Sequence, residues 1–72
     1  MEYLVVFEKS KTGYGAYVPD LPGCIATGNT KAVVKKRIKE AIEFHIEGLK
    51  LLHKRVPKNK AEAELVELCT SK

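Results

Sequence analysis

A chain of 72 residues forms at most one domain, and at that size it buries only about 60% of the surface its unfolded state exposes. Thirteen Lys and Arg against nine Asp and Glu leave a net charge of +4, which favours anionic partners only mildly. No apolar run approaches the roughly 20 residues of a membrane span, and Met1-Glu2-Tyr3 lacks the basic lead of a signal peptide. The expectation is a single cytoplasmic domain over residues 1–72.

Tyr3 to Glu8 reads as a strand, rich in aromatic and β-branched residues. Tyr3, Val5 and Phe7 fall on one face; Leu4, Val6 and Glu8 fall on the other. Both faces are largely apolar, the pattern of a strand covered on both sides. Lys9 to Gly13 is a polar hairpin loop. Tyr14 to Val18 is the returning strand, with Gly15 a candidate bulge or close-approach point.

Pro19-Asp20-Leu21-Pro22-Gly23 then forms the turn on which the chain is organised. The prolines fix their own φ and push Val18 and Leu21 toward extended geometry. Gly23 is free to adopt a positive φ, and Asp20 can close the turn through a nearby backbone N–H. Cys24 to Gly28 follows as a third strand. Its small residues Cys24, Ala26 and Gly28 share a face that another element can approach closely.

Thr30 is placed to N-cap a helix running to about Leu52. Val34, Ile38, Ala41, Ile42, His45, Leu49 and Leu52 recur at helical steps and form one apolar stripe. Phe44, Ile46 and Leu51 lie off that stripe and widen the apolar surface. Gly48 marks a close contact or the start of fraying. Lys50, His53, Lys54 and Arg55 suit the negative end of the helix dipole, and Val56-Pro57 stops the helix. Ala63 to Cys69 fits either helix or a partly buried strand: its glutamates tolerate the first, while Leu65, Val66 and Leu68 suit the second.

Val18 to Cys24, followed by Gly28-Asn29-Thr30 opening a helix, resembles the HicB antitoxin family, from about Tyr3 to about Pro57. The resemblance implies a partial ribonuclease-H-like N-terminal domain that neutralises a HicA toxin, a small mRNA-cleaving ribonuclease, by covering its active site. It also resolves Ala63 to Cys69 in favour of a fourth strand. The expected fold is then α+β, βββαβ, with one mixed four-stranded sheet in the order 3-2-1-4 and the helix on one face. Two departures from the family stand out. Val33 occupies the position where a Thr-x-x-Glu capping box would have its acid. The chain also ends before a C-terminal DNA-binding module, so operon repression by direct DNA binding is not expected of it.

No catalytic, cofactor or metal site is expected. Two-metal nuclease chemistry needs converging carboxylates; the expected sheet offers Glu8 and Asp20 and little else. His45 has no identifiable nucleophile or carboxylate partner, and Cys24 has no basic neighbour in sequence. Cys24 and Cys69 form no metal-type pair and, at opposite edges of such a sheet, would be too far apart to bridge. With neither staple, a partner chain is the leading way to complete a core this thin. The chain is therefore expected to self-associate, with Leu4, Val6, Tyr14, Tyr17 and Phe44 as candidate interface residues and the helix set against Tyr3, Val5 and Phe7. A HicA-like toxin is the second partner. Nucleic acid is a weaker candidate, through Lys31, Lys35, Lys36 and Lys39 near the helix start. A stand-alone homo-oligomeric regulatory domain, with RNA as one partner, is the alternative function.

Overall fold

The computed structural model describes residues 1–69. Three strands form an antiparallel meander: β1 (Val6–Lys9), β2 (Tyr14–Tyr17) and β3 (Ile25–Gly28), in that spatial order. One helix follows, α1 (Lys31–Leu51), and packs on one face of the sheet. The register is regular, with Val6 opposite Tyr17 and Tyr17 opposite Ile25. Gly15 pairs with Glu8 and with Thr27 in that register, so it marks no bulge.

The core is small: Ala16, Val18, Leu21 and Cys24 from the sheet and its turn meet Val34 and Ile38 of α1. Tyr3, Val5 and Phe7 pack against this cluster, so α1 covers the face of β1 that carries no acid. Gly28 sets the approach distance of the helix. A Cβ there would lie 3.0 Å from Val33 Cγ1 and 3.1 Å from Val34 Cγ2.

Both ends of α1 are capped. Thr30 Oγ1 accepts the N–H of Val33 at 3.2 Å, satisfying one of the free donors of the first turn. At the other end His53 takes a left-handed conformation, φ 55°. Its N–H reaches the Lys50 carbonyl, and the Lys54 N–H reaches the Leu49 carbonyl. This nested pair is the Schellman arrangement, with histidine where glycine is usual. The helix therefore ends before Val56-Pro57, which is not its stop signal. Gly48 marks no close contact either, since a Cβ there would meet nothing within 4 Å.

The expected fourth strand and the order 3-2-1-4 are not found among the described residues. Residues 61–69 form neither helix nor strand, and every residue from Glu62 to Cys69 is exposed. The Lys60 and Ala61 N–H groups both donate to Asp20 Oδ2 at 2.8 Å, and Asn59 Oδ1 accepts the Leu4 N–H at 2.8 Å. The Tyr3 hydroxyl donates to the Pro57 carbonyl. These bonds hold the chain at the end of the sheet, and it leaves the body from there as an arm. The radius of gyration, 14.9 Å, exceeds the roughly 11 Å of a compact chain of this length.

Candidate functional site

Strand alternation sorts the residues of the sheet. On the helix side lie Phe7, Tyr14, Ala16 and Ala26, all at least partly buried against the core. Among the described residues no helix or strand covers the other side. There Val6, Tyr17 and Ile25 form one row across the three strands. Ile25 is 66% exposed and Tyr17 41% exposed, while Leu4 and Val6 are half-buried. Ile25 and Tyr17 are the exposed members of this row, and contiguous exposed apolar area marks interaction surfaces.

The candidate interface residues are thus not all brought together. Val6 and Tyr17 pair across β1 and β2 and share the open face, while Leu4 lies before β1, its N–H bonded to Asn59. Tyr14 lies on the helix side, with Lys9 Nζ 6.0 Å from its ring centre. Phe44, 81% exposed, projects from α1, whose buried residues Val34 and Ile38 face the sheet. Ile25 was missing from the sequence-derived set. The signal was present: it alternates with Cys24 and Ala26, which face the helix.

The turn that organises the sequence is two successive four-residue turns sharing Leu21. The Leu21 N–H donates to the Val18 carbonyl, and the Cys24 N–H donates to the Leu21 carbonyl. Pro22 and Gly23 occupy the central positions of the second turn, and Gly23 has φ 84°, as a type II turn requires. Leu21 is fully buried at their junction. Asp20 does not close its own turn. Its carboxylate reaches the Lys60 and Ala61 N–H groups, and these bonds hold its pKa below the usual carboxylate value.

The basic residues near the start of α1 divide as well. Lys31 Nζ sits 5.2 Å from the centre of the Phe7 ring, and Arg37 donates to the Thr27 carbonyl at 2.8 Å. Both tie the helix to the sheet. Lys35, Lys36 and Lys39 are exposed, and the first helical turn carries no acid.

Chemical groups suited to catalysis do not converge. Cys24 is buried, and burial pushes its thiol pKa up, opposite to the activation a nucleophile needs. Among the described residues no group of three or more His, Cys, Asp and Glu could hold a metal ion. Cys24 and Cys69 are both free thiols, Cys69 lying in the exposed arm. Among the described residues no helix is long and apolar enough to cross a membrane.

A three-stranded meander capped by one long helix, with an apolar sheet face left open, defines a small binding domain. Residues 3–69 match the family described as HicB_like antitoxin of bacterial toxin-antitoxin system, and the chain belongs to that family. A UPF0150 protein of Thermoplasma acidophilum is 43% identical over 63 residues, covering 86% of this chain and 91% of the relative. An uncharacterised 14.9 kDa protein of Haemophilus phage HP1 is 42% identical over 59 residues, 82% of this chain. The match spans only 44% of that phage protein. Among solved structures, a chain of the HicA3 and HicB3 toxin-antitoxin complex superposes with a TM-score of 0.69 at 33% identity. The superposition covers 83% of this chain and 70% of the other.

Proposed function

We propose that this protein is a non-catalytic antitoxin that binds a HicA-type toxin and shields the toxin's active site from mRNA. The open sheet face is the contact surface, with Val6, Tyr17 and Ile25 at its centre. The observation that carries the reading is the apolar row Val6-Tyr17-Ile25 on an uncovered face. Family membership and the likeness to a chain of a solved toxin-antitoxin complex support it. Burial of apolar area contributes about 25 cal/mol per Å², so a row of such side chains is a useful centre for an interface. The reaction belongs to the toxin: this chain acts by exclusion and needs neither metal nor cofactor. The test is an mRNA-cleavage assay with a purified HicA-type toxin. Stoichiometric addition of this protein suppresses cleavage; undiminished cleavage at excess antitoxin contradicts the proposal.

A second reading is a stand-alone homo-oligomeric regulatory domain with an anionic partner such as RNA. The observation favouring it is the exposed set Lys35, Lys36 and Lys39 on a helix start without acids. RNA binding that weakens steeply with salt and is lost on replacing these lysines with glutamine separates the two readings.

A further inference from the structure

The apolar stripe of α1 is longer than the sheet beneath it. Its fully buried residues, Val34 and Ile38, both lie in the first half of the helix. Ala41, Ile42, His45 and Leu49 continue the stripe but are only half-buried. The helix contacts β3 and β2, and the outer edge of β1 has no neighbouring strand among the described residues. That edge is open to one added strand.

The same chain carries a segment suited to that place. In the arm, Leu65, Val66 and Leu68 are exposed by 101%, 71% and 78%, with nothing of their own body against them. Eight residues from Glu62 to Cys69 span about 26 Å when extended, ample for pairing with a four-residue strand. The arm is also electrically distinct. It holds Glu62, Glu64 and Glu67 and no lysine or arginine, leaving six acidic residues against thirteen basic ones elsewhere in the chain. An acidic apolar strand therefore complements a basic body.

We infer that two copies of this chain exchange their arms, residues 62–69 of each pairing with the β1 edge of the other. The reading rests on the self-association considered above. The exchange is set by the arm's root. Asp20 fixes the Lys60 and Ala61 N–H groups, and Asn59 holds the Leu4 N–H, so the arm leaves its own body at the sheet end. Exchange in a two-fold dimer gives each sheet its fourth strand while keeping those anchors, and such swaps are a low-cost route to dimers. The open face with Val6, Tyr17 and Ile25 stays available, so the exchanged dimer remains able to bind a toxin.

Two measurements test this. Sedimentation at tens of micromolar compares the wild type with a Leu65→Lys, Leu68→Lys double variant, with the helical circular dichroism recorded for both. The expected result is a wild-type dimer and a monomeric variant of unchanged helix content. The second mixes a Lys9→Cys, Cys69→Ser chain with a wild-type chain that retains Cys69 and adds a short bis-maleimide. Cross-linking between the chains is expected, through the arm of one and β1 of the other. A wild-type monomer overturns both self-association and exchange. A wild-type dimer overturns exchange alone if it persists in the double variant, or if it gives no inter-chain product between these two thiols.

Discussion

The carboxylate of Asp20 accepts the backbone N–H of Ala61 at 2.8 Å, across 41 positions of chain. With the neighbouring Lys60 bond, it makes one side chain of the family turn an anchor of the chain after the helix, beside the Leu4–Asn59 and Tyr3–Pro57 bonds. The turn motif thus does two jobs: its backbone links β2 to β3, and its one acid ties down the chain after α1.

This arrangement predicts a pH dependence. Hydrogen bonds from Ala61 and Lys60 lower the folded-state pKa of Asp20 below the ordinary value of 3.8. A depressed carboxylate contributes stability that is fully present above its unfolded pKa and is lost as pH falls through the folded value. The wild type should therefore lose denaturation midpoint below about pH 4 more steeply than Asp20→Ala. At neutral pH Asp20→Ala should already be the less stable protein. Parallel curves for the two proteins across this range would show that the anchor contributes nothing.

Gly23 carries the second prediction. Its φ of 84° is strained for any side chain, although a Cβ would meet no atom within 4 Å. Gly23→Val should cost about 1–3 kcal/mol, entirely through the backbone. Urea denaturation measures it; an unchanged midpoint would mean that valine accepts the turn.

Two substitutions near the end of α1 should stabilise the chain. Gly48 sits inside the helix with open space at its Cβ position, so Gly48→Ala should gain about 1 kcal/mol from helix propensity. His53 holds the left-handed position of the helix terminus, where glycine avoids the Cβ penalty. His53→Gly should gain about 1 kcal/mol. Thermal melts read both. A loss of stability at position 48 would mean that alanine meets a neighbour there; at position 53, that the imidazole contributes more than its backbone costs.

Much of this fold was legible in the residues. Proline, glycine and threonine at Pro19, Pro22, Gly23 and Thr30 fix the turn and the helix start through local chemistry. The small side chains of Cys24, Ala26 and Gly28 announced the face that α1 approaches. What escaped depends on contacts distant in sequence. Asp20 has equally good local acceptor roles, and nothing in its neighbours points to Lys60 and Ala61. The helix ends where expected, at Leu51, but through the left-handed His53 rather than through Val56-Pro57, because no glycine announces that cap. The fourth strand was read from a resemblance and from Leu65, Val66 and Leu68, but an apolar segment does not specify which sheet receives it. At the candidate site, alternation along the first strand puts Leu4 and Val6 on one face, but it does not by itself say which tyrosine of the second strand, Tyr14 or Tyr17, joins them. Register decided the matter: Tyr14 pairs with Lys9 and Gly28, on the helix side.

The open face is the account's central claim, and direct binding tests it. A catalytically inactive HicA-type toxin is titrated with the wild type and with a Val6→Lys, Ile25→Lys double variant whose circular dichroism shows an intact helix. The wild type should form a stoichiometric complex. The double variant should bind at least about tenfold more weakly, a loss of about 1.4 kcal/mol or more. Equal affinity of the two proteins, or no binding by the wild type, would contradict the account.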